Sequence, residues 1–220
     1  MKIFSNSVML IGYLTTLCSV VVGFIFCFRK GKPLHIKLFP IYSLISIIQM
    51  LSAYTIGKTA ASYIMNFFPL FEFGIFAFFF VQVLKTTRIK IIVLLSGIIL
   101  ALDFLGISIT ADSFTAINIG NVYLLESALL LVPCIMYFKE LFTAKSTVIL
   151  STDPTFWIAT GILILSACSI PVSLFFYLKN LEINQDPSLD NSLRRIYFFL
   201  YAIMCALFVK SFLCRTRTLE

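Results

Sequence analysis

The sequence predicts an all-α protein, a polytopic transmembrane bundle of seven helices forming a single domain over residues 1–220. Three observations carry this expectation. First, 60% of the residues are apolar and only 12% are charged, with a mean hydropathy of +1.01; a soluble domain sits nearer half apolar and a quarter charged. Second, windows of about 18 or more mostly apolar residues, the length that crosses a hydrocarbon layer, recur seven times: 8–28, 38–56, 61–84, 91–109, 117–138, 156–178 and 196–213. The longest stretch between them, Lys179–Arg195, is too short to fold around its own core, so an attached kinase, nuclease or nucleotide-binding module is excluded. Third, the basic residues are distributed unevenly over the connections. One side collects Arg29, Lys30, Lys32, Lys37, Lys85, Arg88, Lys90, Lys139, Lys145, Lys210, Arg215 and Arg217, while the other holds Lys2, Lys58, Lys179, Arg194 and Arg195. This bias over short loops places the N-terminus outside and the C-terminus in the cytoplasm of a cell (inner) membrane.

The first span, 8–28, is too long and lacks the small-residue cleavage pattern of a signal peptide, so it reads as a retained helix. The second, 38–56, carries Gln49 and Ser52 and ends in a tight outer turn, Gly57-Lys58-Thr59-Ala60. The third, 61–84, contains Asn66, Pro69 and Glu72; the fourth, 91–109, contains Asp103; the fifth, 117–138, contains Asn118, Asn121, Tyr123, Glu126 and Pro133. The sixth has a legible start. Asp153 can cap the free backbone N–H groups, Pro154 suits the first helical position, and Trp157 sits one turn inside, at interface depth. Pro171 lies within this span. Asp190-Asn191-Ser192 offers caps for the last helix, 196–213, near whose cytoplasmic end Lys210 can snorkel.

Two kinds of residue inside the spans have no business in lipid unless they serve the interior. Pro69, Pro133 and Pro171 each free a backbone carbonyl one turn earlier and are candidate hinges; a static kink that improves packing is the alternative. At about 1.5 Å per residue, Glu72 lies roughly 17 Å and Glu126 roughly 14 Å from the outer ends of their helices, and Asp103 only about 9 Å. An acidic group at mid-span costs on the order of 3 kcal/mol to insert and should face the bundle, a partner or water. Helical spacing puts Ser62, Met65, Pro69, Glu72 and Phe76 on one face, and Tyr123, Glu126, Leu130 and Pro133 on another. The expectation is an outward-facing polar pocket between the second, third and fifth helices, formed by Glu72, Glu126, Asn66, Gln49, Asn121 and Tyr123. The alternative is a protonated pair hydrogen-bonding between helices.

Several chemistries are excluded. The single histidine, His35, lies in a basic loop, so a multi-histidine zinc hydrolase cannot be built. Six cysteines form no Cys-x-x-Cys pair, and no metal site or cofactor is expected. Nucleic acid is not an expected partner, since the cations are scattered over short loops rather than gathered into one stripe.

Asn66–Glu72 and Asp153-Pro154-Thr155-Phe156-Trp157 with Gly161 give the chain a likeness. It resembles small stand-alone seven-helix membrane proteins of Bacteroidota that have no assigned biochemistry and are often encoded near sensor kinases and response regulators. The resemblance implies a sensory or accessory membrane role. The functional expectation is therefore a receptor-like module that binds a small molecule or lipid in the outer pocket and signals through a separate cytoplasmic or membrane partner. That partner would dock on the basic loops Arg29–Lys37 and Lys85–Lys90 and on Lys139–Thr155 with its apolar Val148-Ile149-Leu150; orientation and anionic-lipid binding are the alternative role for these loops. Two other readings stay open: a small proton-coupled transporter using Glu72 and Glu126, and a lipid-modifying enzyme using intramembrane carboxylates. Binding rather than catalysis is the favoured expectation.

Overall fold

A computed structural model describes residues 2–28, 32–55, 58–110, 119–143, 150–179 and 187–214. The seven apolar windows become seven helices: α1 (Lys2–Cys27), α2 (Leu34–Thr55), α3 (Lys58–Val83), α4 (Thr87–Thr110), α5 (Ile119–Thr143), α6 (Pro154–Lys179) and α7 (Pro187–Leu213). All seven are long and apolar enough to cross a membrane, and no strand occurs among the described residues. They run from 22 residues in α2 to 27 in α7, roughly 33–40 Å at 1.5 Å per residue. A hydrocarbon layer is about 30 Å thick, so each helix is long enough to span one. The largest difference from the sequence reading is at α7. It starts at Pro187, not near 196, and Asp190, Asn191 and Ser192 therefore lie inside its first turns rather than capping it. Proline's fixed φ suits the first helical position, and the polar residues after it are tolerated because this part of the helix extends beyond the apolar stretch.

Helices α1, α2, α3, α5, α6 and α7 pack in succession, with α7 closing back on α1, while α4 rests against α3 and α5. Position decides burial: α4 is the least buried of the spans, and its outer face carries Ile91, Leu94, Leu95, Ile98 and Leu102, the last 62% exposed. Such a surface is stable only against lipid or another apolar partner. The ring is filled chiefly by aromatic side chains. Phe39 of α2 meets Phe208 of α7 at 4.8 Å and Phe79 of α3 at 5.4 Å, and Tyr42 meets Phe76 at 5.1 Å between ring centroids, distances at which edge-to-face and tilted pairs are favourable.

Between helices in lipid, close approach of small residues and polar ties supply what the hydrophobic effect cannot. A Cβ on Gly23 of α1 would fall 2.5 Å from Cγ of Pro40 on α2, and one on Gly161 of α6 would meet Met204 and Phe208 of α7 at 3.3 Å. Gly161 is thus part of the α6–α7 seam. Ser19 Oγ and Ser43 Oγ are 2.8 Å apart across α1 and α2, and Thr16 Oγ1 lies 3.6 Å from Cys205 Sγ across α1 and α7.

The end of the bundle that holds the α1–α2, α3–α4 and α5–α6 connections is fastened by charge. Lys32 Nζ donates to the carbonyls of Phe212 and Cys214 at 2.9 Å and of Ser211 at 3.4 Å, capping the C-terminus of α7 where free carbonyls and the helix dipole favour a cation. Partial burial lowers its pKa from the ordinary 10.5 of lysine. Glu140 of α5 accepts the backbone N–H groups of Lys85 and Thr86 at 2.9 and 3.0 Å, fixing the start of α4. Asp153 takes the capping position before Pro154, accepting Thr155 N–H at 2.9 Å and its hydroxyl at 2.6 Å. Trp157 Nε1 donates to the Ser151 carbonyl at 3.1 Å, within the short 3₁₀ turn Leu150–Thr152, and Lys210 Nζ lies 5.9 Å from the Trp157 ring centroid. Of the apolar trio expected to form a docking patch, Leu150 begins this turn, whereas Val148 and Ile149 lie outside the described residues. All six cysteines are free thiols.

Candidate functional site

Glu72 and Glu126 are 3% exposed and face one cavity at mid-bundle. It is lined by Glu72 and Phe76 of α3, Tyr123, Glu126, Ser127 and Leu130 of α5, Leu165, Ser166 and Ser169 of α6, and Tyr197 of α7. The room between these side chains is about that of one water molecule. Each lining set follows helical spacing: positions 72 and 76 on α3; 123, 126, 127 and 130 on α5; 165, 166 and 169 on α6. No Lys, Arg or His is among the lining residues, and among the described residues no group of three or more His, Cys, Asp or Glu could hold a metal ion.

The two carboxyls are treated differently. Tyr42 of α2, itself fully buried, donates its hydroxyl to Glu72 Oε1 at 2.6 Å. Glu126 Oε1 has no hydrogen-bond partner, and neither has Ser169 Oγ, although both atoms are buried. Buried polar groups in folded proteins are nearly always paired, and an orphan costs on the order of 1–3 kcal/mol. Beside the cavity, the Tyr201 hydroxyl of α7 lies near Ser46 and Tyr42 yet makes no hydrogen bond.

The residues expected from the sequence are distributed as follows. Glu72, Glu126 and Tyr123 line the cavity, and Gln49 reaches the Tyr123 hydroxyl from α2. Asn66 is buried on α3 and Asn121 half-buried on α5, but neither lines it. Asn118 falls outside the described residues. Pro69 and Pro133 are buried on the same faces as the carboxyls, whereas Pro171 is exposed on the outside of α6. Asp103 sits half-buried on α4, away from the cavity, with Oδ2 unpaired. The expected walls, helices two, three and five, are thus corrected: α6 and α7 close the cavity, while α2 supplies hydrogen bonds from behind. Tyr42, Ser127, Ser166, Ser169 and Tyr197 were missed. A faint signal existed for α6, where Ser166, Ser169 and Ser173 recur at helical spacing along an otherwise apolar span.

Chemically the site is all oxygen on its polar side. Such a set can take up protons, hold a small cation, or accept hydrogen bonds from an amine or hydroxyl. No family model matches this sequence, and neither the curated proteins nor the solved structures provide a match.

Proposed function

We propose that this multi-pass protein is a receptor-like membrane module, with its N-terminus outside and C-terminus in the cytoplasm of the cell membrane. In this reading a small ligand occupies the Glu72–Glu126 cavity, and the resulting change in helix packing is passed to a separate partner chain. The observation that carries the reading is the unfinished hydrogen bonding of Glu126 Oε1 and Ser169 Oγ, two orphaned atoms facing the same cavity from adjacent helices. An occupant that pairs with both would stabilise one arrangement of α5 and α6 over others, which is the differential contact a ligand-driven shift requires. The cavity joins α3, α5, α6 and α7, and the far ends of α5 and α7 carry the Glu140 and Lys32 attachments that tie them to neighbouring connections.

A small carrier coupled to protons or cations is the second reading, favoured by one specific observation: two acidic groups at mid-bundle with no basic residue among the cavity lining. Purified protein in liposomes separates the two. The receptor reading expects thermal stabilisation by a ligand, lost in Glu126→Gln, without movement or conversion of any solute or lipid. Flux, or altered lipid, produced by the purified chain alone would overturn it in favour of the carrier or of a membrane enzyme.

A further inference from the structure

The cavity's occupant can be narrowed by size and ligand type. Nitrogen and sulfur ligands, which borderline and soft metals prefer, are missing from the lining, while carboxyl and hydroxyl oxygens are abundant. Oxygen-only sets suit hard cations. The room is about that of one water, which excludes an organic amine in this arrangement of helices but admits a small dehydrated ion. Glu72 Oε1 already receives the Tyr42 hydroxyl at 2.6 Å, whereas Glu126 Oε1 receives nothing, so the open carboxyl oxygen belongs to Glu126.

From these observations we infer that the cavity is a binding site for a small hard cation, with sodium as the probe, held by Glu126 with Ser169 and completed by Ser127 and Ser166. The assignment rests on the receptor-like reading only in using the same cavity. Two buried, unpaired oxygens on different helices, Glu126 Oε1 on α5 and Ser169 Oγ on α6, converge there, and an ion between them ties the two helices together. The titratable groups around Glu126 are Glu72 on α3, Tyr123 on its own helix and Tyr197 on α7, with Tyr42 of α2 behind Glu72; α6 contributes no titratable group to the lining. Protons therefore compete with the ion at the carboxyls, and the sodium concentration needed for half-effect rises as pH falls.

The test is thermal unfolding of the purified full chain in detergent, with NaCl exchanged for choline chloride at constant ionic strength and repeated between pH 6 and 8. The melting temperature is expected to climb by several degrees as sodium rises about 100-fold, following mass action. Ser169→Ala should fold and lose most of this dependence; Glu126→Gln should lose it entirely while melting within a few degrees of wild type in choline. If Glu126→Gln does not fold, Ser169→Ala alone decides. A melting temperature that follows pH but ignores both sodium and, in a parallel titration, calcium assigns the cavity to protons and overturns the cation. Sodium uptake into proteoliposomes, abolished by Ser169→Ala, would uphold the cation and overturn the receptor reading instead.

Discussion

The hydrogen bond from Tyr42 to Glu72 is the contact that orders one half of the cavity, and it can be isolated cleanly. Tyr42→Phe removes one hydroxyl and leaves the ring among Phe76, Phe68 and Phe208, at 5.1, 6.1 and 6.2 Å, so packing is retained. What is lost is a 2.6 Å bond whose two residues are 0% and 3% exposed. A buried acceptor left unpaired costs about 1–3 kcal/mol. Hydrogen bonds between helices in a bilayer average about 0.6 and reach about 1.7 kcal/mol, because the unfolded chain finds partners too. The short distance and full burial put this bond in the upper part of that range, about 1–1.7 kcal/mol. At this chain length the equivalent fall in melting temperature is about 2–7 °C, at 2–4 °C per kcal/mol. Glu72→Gln keeps an acceptor oxygen and should cost less than Glu72→Leu, which strands the tyrosine hydroxyl. The assay is a double-mutant cycle of Tyr42→Phe with Glu72→Leu, read by reversible unfolding in mixed micelles with added dodecyl sulfate. A coupling energy of at least about 1 kcal/mol is expected. Additivity within about 0.3–0.5 kcal/mol, the behaviour of sites that do not touch, would falsify the pairing.

The other predictions concern packing, capping and orientation. Gly23→Ala should destabilise by about 1–3 kcal/mol, because its methyl would lie 2.5 and 2.8 Å from ring atoms of Pro40 that cannot rotate away; Gly74→Ala, with nothing within 4 Å, should be neutral or stabilising, and equal effects at the two glycines would contradict the α1–α2 seam. Lys32→Met should speed amide exchange in the last turn of α7 and leave the α3–α4 connection, held by Glu140, unchanged. Glu140→Gln should instead loosen the start of α4, so exchange changes at both places in either variant would mean the two attachments are not separate. For orientation, cysteines introduced at Lys58 and Asn184 should react with an impermeant thiol reagent in intact cells, and one at the exposed Arg88 should not. Lys32 is the poorer inside probe, since replacing it also removes the α7 cap. The reverse pattern would invert the proposed topology.

Length and apolarity alone marked seven helices long and apolar enough to cross a membrane, since a backbone in lipid must satisfy its own hydrogen bonds and so gives a strong, local signal. The α6 start was equally legible, because Asp153 and Pro154 act on backbone groups within two or three residues of themselves. The two buried glutamates were legible as well, each being costly wherever it points except inward. Which helices surround them was not. These helices are apolar nearly all the way round, so apolar periodicity marks no inner face, and the inward side is set by small and polar residues meeting partners far along the chain. Tyr42 finds Glu72, Gly23 finds Pro40, and Lys32 finds the end of α7 nearly 180 positions later. Nothing local distinguishes Tyr42 from the other tyrosines or Ser169 from the other serines. Only the packing of α6 and α7 against α3 and α5 brings Ser166, Ser169 and Tyr197 to the carboxyls and leaves Glu126 Oε1 and Ser169 Oγ unpaired, because a hydroxyl acquires its role from what lies opposite it, and in a bundle that is decided by tertiary contact.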